Sequence, residues 1–161
     1  MIKKIIVILF VSILHVNAQK VWKGTLNTNQ LKEFYDGEFT IVKGDIVIGN
    51  STLETLEILK NLTYCKGTIS ITNNKTLTSL KGLHNLIKVK GKISIIKNEN
   101  LNNYCALNSS LVNKGIKGVK VRRRIYEKLE TVDNKYNPSM MDLQNHDCHC
   151  SCVPIDEIFE I

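Results

Sequence analysis

The chain has 161 residues, 43% of them hydrophobic, and its 22 Lys and Arg against 15 Asp and Glu give a formal charge of +7. This length fits one domain that buries roughly two thirds of its unfolded surface without staples, and it excludes a multidomain assembly. Beyond the N-terminus no apolar stretch approaches the roughly 20 residues of a bilayer-spanning helix, which excludes a membrane span.

Lys3 and Lys4, an apolar run from Ile5 to Val16 and the exit Val16-Asn17-Ala18 read as a secretory signal peptide over residues 1–18, cleaved between Ala18 and Gln19. The apolar run is too short for a permanent anchor. A bacterial lipoprotein would need Cys at position 19, so Gln19 predicts a released chain. The mature protein then has 143 residues and a formal charge of +5. Its expected location is secreted or extracellular, with the periplasm and the cell surface included.

Residues 19–43 are expected to cap the segment from Gly44 onward, whose pattern they do not share. Thr28 and Asn29 precede the run Gln30 to Tyr35, in which Leu31, Phe34 and Tyr35 lie at helical spacing and which Gly37 can terminate. Phe39 and Ile41 then alternate into a strand that leads to Gly44.

Three copies of one pattern come next, starting at Gly44, Gly67 and Gly91, 23 and then 24 residues apart, and forming repeats 44–66, 67–90 and 91–114. Each reads Gly, polar, Ile, any residue, Ile, an Asn-containing bend, then leucine-type residues three apart. A unit this short cannot bury its own apolar face, and stacking supplies the neighbour it needs, which predicts a short parallel β-solenoid with short capping helices. The inward columns are Ile46, Ile69, Ile93; Ile48, Ile71, Ile95; Leu53, Leu77, Leu101; Leu56, Leu80, Tyr104; and Leu59, Leu83, Leu107. The first copy is one residue short, and the deletion is expected near Gly49 to Ser51, where the chain bends.

Asn50, Asn73 or Asn74, and Asn98 follow the strands, where a left-handed residue suits the turn and an amide can satisfy the backbone of the next turn. An internal asparagine ladder is therefore expected rather than a binding role. Sequons begin at Asn50, Asn61, Asn74 and Asn108, and they matter only in a eukaryotic source.

After the copies, Gly118 to Arg123 reads as a further strand with Val119 and Val121 inward. Arg124 to Val132 reads as a short helix or irregular loop, because Ile125, Leu129 and Val132 lie at helical spacing. Asp133 to Ser139 is turn-rich, and Ser139 is placed to cap a final helical turn. The closing cap spans 115–148, and 149–161 is a Cys-containing tail.

The turn G-x-I-x-I…N…L-x-x-L, the segment Tyr104-Cys105-Ala106-Leu107 and the closing Tyr136-Asn137-Pro138-Ser139…Cys148 resemble secreted bacterial leucine-rich-repeat proteins of the receptor L-domain type. The resemblance covers nearly all of residues 22–148. It implies a short right-handed β-solenoid with parallel sheets; the arginine-rich stretch 122–132 and the tail from His149 depart from it. It implies no particular activity, because such modules are scaffolds for varied partners.

Cys65, Cys105, Cys148, Cys150 and Cys152 in an exported chain favour disulfides over catalytic or free thiols. Stacking is expected to join Cys105, in the third leucine run, to Cys148, at the close of the last turn. Cys65 reads either as buried and inert or as a partner of the tail. His146, Cys148, His149, Cys150 and Cys152 form one cluster, whereas zinc sites usually need two separated ligand pairs, so no metal and no cofactor is expected.

Catalysis needs converging acids, bases or a nucleophile, and the outward strand positions offer one carboxylate, Asp45, among Val47, Thr68, Ser70, Thr72, Lys92, Ser94 and Lys120. His84 and His15 have no partner at motif spacing. No enzyme is expected. Lys114, Lys117, Lys120, Arg122, Arg123, Arg124 and Lys128 crowd one stretch against Glu127 alone. The expected function is a secreted, non-catalytic binding or adhesion module contacting an anionic polysaccharide or an acidic protein surface through Lys92, Ser94, Lys120, Arg122 and Arg124. Nucleic acid is disfavoured, since aromatic residues do not interleave with the basic ones and the chain is exported. The alternative is a structural component of a cell-surface assembly, and a polysaccharide-active enzyme ranks below that.

Overall fold

The computed structural model of the protein describes residues 19–107, 129–139 and 142–143. The signal peptide, the expected strand 118–123, Lys120, Arg122, Arg124, Cys148 and the tail lie outside the described residues.

The described chain is mainly strand, arranged in two parallel sheets. One holds β1 (Val21–Lys23), β3 (Ile41–Lys43), β5 (Tyr64–Cys65) and β7 (Lys88–Val89) in that order. The other holds β2 (Leu26–Asn27), β4 (Ile46–Gly49), β6 (Ile69–Thr72), β8 (Ile93–Ile96) and β9 (Leu129–Val132). The helices are short: α1 (Leu31–Asp36) and α2 (Cys105–Leu107). Each circuit gives one strand to the first sheet, turns at a Lys-Gly corner and gives the next strand to the second.

The corner explains the glycine that opens every copy. The Gly67 amide donates to the Gly44 carbonyl oxygen at 2.9 Å and the Gly91 amide to that of Gly67 at 2.9 Å. A Cβ on Gly67 or Gly91 would stand 2.5 Å from the carbonyl oxygen one circuit below. No side chain fits between backbones stacked that closely.

The inward columns are those the spacing predicts. Ile46 pairs with Ile69 and Ile69 with Ile93, and Ile48, Ile71 and Ile95 align two residues on. All six are buried, as are Leu77 and Leu101, Leu56, Leu80 and Tyr104, and Leu59, Leu83 and Leu107, while Leu53 is partly buried against the core. Each fully buried aliphatic side chain contributes about 1.5–3 kcal/mol of transfer free energy. Leu62 and Leu86 extend the same core.

Several expectations need correcting. Residues 19–43 are not outside the repeat: β1 and β2 pair with β3 and β4 in register, so they form a first circuit in which α1 replaces the leucine run. Leu31 and Phe34 of α1 are buried, and Trp22, Phe34 and Phe39 close this end, with Trp22 edge-on to Phe39 at 5.2 Å between centroids. Tyr35 faces solvent, 38% exposed. Residues 129–132 are a strand, not a helix or loop: Ile93 pairs with Leu129 and Ile95 with Thr131, so the alternation of L-E-T-V prevails over the helical spacing of its apolar residues. The one-residue deletion falls just past Ser51, since Ser51 still occupies the place of Asn74 one circuit below it.

That place belongs to the asparagine ladder. Asn74 Nδ2 donates to the Ile48 carbonyl at 3.2 Å and to Asn98 Oδ1 at 3.0 Å, and Asn98 Nδ2 donates to the Ile71 carbonyl at 3.1 Å and to Asn134 Oδ1 at 2.9 Å. Backbone amides join in, with Ser51 N–H reaching Asn74 Oδ1 at 2.9 Å, Asn74 N–H reaching Asn98 Oδ1 at 3.0 Å and Asn98 N–H reaching Asn134 Oδ1 at 3.0 Å. Asn137 ends the series, its Oδ1 accepting from Asn134 Nδ2 at 2.9 Å. Asn50 and Asn73 occupy a different column, the residue before, whose backbone is left-handed at φ 51° and 56° and which Lys97 and Asp133 fill in later circuits. The two roles that the sequence merges are thus adjacent. Asn74 is fully buried, so its sequon cannot be an acceptor in the folded chain.

Candidate functional site

The outward face of the second sheet carries Asp45, Val47, Thr68, Ser70, Thr72, Lys92, Ser94 and, from β9, Glu130. Its polar groups bond across circuits. Asp45 Oδ1 accepts the Thr68 amide at 2.7 Å. Glu130 Oε2 accepts from Lys92 Nζ at 3.0 Å and from Ser94 Oγ at 2.9 Å, and these hydrogen bonds, that of Lys92 foremost, hold its carboxyl below the usual range.

This arrangement alters the basic edge expected from the sequence. The strand beside β8 is β9, so the neighbour of Lys92 and Ser94 is an acid, where Lys120 and its flanking arginines were expected. Ser94 is 5% exposed because the Glu130 carboxylate covers its hydroxyl. Of the five expected contact residues, Lys92 alone is exposed within the described part, and it is ion-paired. Lys120, Arg122 and Arg124 lie outside the described residues.

The first sheet carries a feature that the chain's spacing does not reveal. Trp22, Val42 and Cys65 point inward, so alternation turns Lys23, Lys43, Lys66 and Lys90 outward, and all four are exposed. They form one column, with Lys23 opposite Lys43 and the rest following from the pairing of Val42 with Cys65 and of Cys65 with Val89. Beside it runs a second outward column of Val21, Ile41, Tyr64 and Lys88, with Lys88 Nζ 5.8 Å from the centre of the Tyr64 ring. The Lys-Gly dipeptide at 23, 43, 66 and 90 was the available signal.

At the bends, Asn73, Lys75, Lys97, Glu99 and Asp133 line an open concavity of about 310 Å³ with charges of both signs. Cys65 carries a free, buried thiol that donates to the Gly44 carbonyl at 3.4 Å, and burial pushes it up to about 11. Cys105 is engaged in a disulfide. Among the described residues no group of three or more His, Cys, Asp and Glu is placed to hold a metal, and no helix is long and apolar enough to cross a membrane. The His and Cys cluster at 146–152 lies outside them.

No protein-family model matches the chain, and no curated protein matches it.

Proposed function

We propose that this protein is a secreted, non-catalytic binding or adhesion module built as a β-solenoid of the receptor L-domain type. The observation that carries the reading is the division of labour within each circuit. Inward isoleucines and leucines, the corner glycines and the asparagine ladder maintain the stack, and they leave the outward positions of both parallel sheets free to vary with a ligand. A flat, regularly spaced face of that kind suits an extended partner better than a small molecule, which favours concave apolar pockets. The residue resemblance and the signal-like N-terminus support an extracellular partner.

The test uses the mature protein, residues 19–161, on an array of neutral and acidic glycans, with reducing-end release measured on every polymer bound. Saturable binding without new reducing ends is the expected result. Hydrolysis of any polymer would overturn the non-catalytic reading, and a large self-assembly in light scattering without glycan binding would favour a structural surface component.

A further inference from the structure

The four-lysine column of the first sheet is more than the solvated rim that any exposed strand needs. Strands in a sheet lie about 4.8 Å apart, so Lys23, Lys43, Lys66 and Lys90 place one ammonium per circuit along a straight line parallel to the stacking axis. Like charges directly opposite each other on a sheet are destabilising. The fold does not require these four, because the corner is made by the glycines. Among the described residues the ion pairs join Lys32 to Asp36, Lys81 to Glu57 and Lys92 to Glu130, and none involves Lys23, Lys43 or Lys66. Asp45, the acid closest in sequence to the column, directs its carboxylate to the Thr68 amide. The repulsion is thus repeated at each circuit and not relieved by the acids that could have been interleaved.

Next to this line runs the flatter column of Val21, Ile41 and Tyr64, partly buried and apolar. A linear polymer lying along the stack would meet a cation at every circuit and an apolar strip, including one aromatic ring, on its flank. An extended pyranose advances by a length close to one strand spacing, so a carboxylated sugar chain can present its charges in step with the lysines. A nucleic-acid strand has a different requirement, a series of aromatic platforms for its bases, and Tyr64 is the single ring in this strip.

We propose that the outward face of the first sheet, through Lys23, Lys43, Lys66 and Lys90, is a binding track for a linear carboxylated polysaccharide aligned with the stacking axis. This rests on the binding-module reading and specifies its face and its ligand class.

The experiment measures binding of the mature protein to alginate, to dextran as the neutral control and to single-stranded DNA, each at low and moderate salt. It compares the parent with Lys23→Gln/Lys43→Gln/Lys66→Gln and with a charge-matched control, Lys75→Gln/Lys97→Gln/Lys135→Gln, whose lysines are exposed elsewhere. Thermal unfolding checks that all three proteins fold alike. The expected result is a loss of about tenfold or more in alginate affinity and a flatter salt dependence for the track variant, against less than about twofold for the control. Equal losses in both variants would overturn the track in favour of diffuse charge. Tighter binding to DNA than to alginate would overturn the ligand class. Salt-insensitive binding to dextran alone would overturn the track and leave the binding-module reading standing, whereas hydrolysis of alginate would overturn that reading while the affinity comparison still judged the track.

Discussion

Removing the Asn98 side chain is the sharpest test of how the circuits are held together. Asn98 is fully buried, and its carboxamide makes five hydrogen bonds: Oδ1 accepts from the amide and Nδ2 of Asn74, and Nδ2 donates to the carbonyls of Ile71 and Ile96 and to Asn134 Oδ1. In Asn98→Ala, Asn74 Nδ2 keeps the Ile48 carbonyl and Asn134 Oδ1 keeps the Asn98 amide, but the buried Asn74 N–H loses its acceptor. An orphaned buried donor costs about 1–3 kcal/mol, and each further bond lost adds about 0.5–1.5, so a loss of about 3–5 kcal/mol is expected. That is a large share of the roughly 5–15 kcal/mol by which domains are stable. The control is Asn100→Ala, an exposed residue whose Nδ2 donates to the Lys75 carbonyl at 2.6 Å, with an expected loss below about 1 kcal/mol. Urea unfolding of the mature protein should show the midpoint falling for the Asn98 variant with an unchanged slope. Asn98→Asp is a second arm: it keeps the acceptors but aims a carboxylate at the oxygens of Ile71, Ile96 and Asn134, so it should also destabilise near neutral pH. If Asn98→Ala and Asn100→Ala lost the same stability, the ladder would not be what couples the circuits.

Leu80→Ala should cost about 2–5 kcal/mol in the same assay and the outward Ser70→Ala well under 1, and the reverse order would invert the assignment of inner and outer faces. Stability should fall as pH rises from 9 to 11, because the unfolded chain releases the Cys65 proton near 9.0 while the buried thiol holds it to about 11; Cys65→Val, matching the neighbouring Val42 and Val89, should remove that part of the slope, and an unchanged slope would count against a buried thiol. Peptide mapping of the unreduced mature protein should show Cys105 joined to Cys148, a link that would restrict the unfolded chain by roughly 4 kcal/mol in the entropy model, and recovery of Cys105 with Cys150 or Cys152 would reassign the bond.

Much of the fold is legible in the sequence because a stacked repeat writes each contact several times. Ile46, Ile69 and Ile93 align by spacing alone, and a residue that must be buried in one circuit is buried in the next for the same reason. The second strand of each circuit is harder to see. Strands such as Tyr64–Cys65 and Lys88–Val89 are two residues long, too short for period two to register, and they exist because hydrogen bonds from the circuits on either side complete them. The same holds for Leu129–Val132, whose apolar spacing suits a helix and whose strand form depends on the open edge of β8.

The candidate site divides along the same line. The charges of Lys92 and Glu130 can be read from the chain, but they lie 38 residues apart, and only the register of β8 with β9 brings them together and buries Ser94 beneath them. The lysines at 23, 43, 66 and 90 are visible as residues, yet the first interval is 20 residues and the others 23 and 24, so no single period aligns them. Parallel pairing absorbs those differences in the loops and turns four scattered cations into one line. Composition and spacing therefore determined what is inside this protein, since burial repeats with the chain, while tertiary register decided what faces outward together, since surface neighbours come from separate circuits.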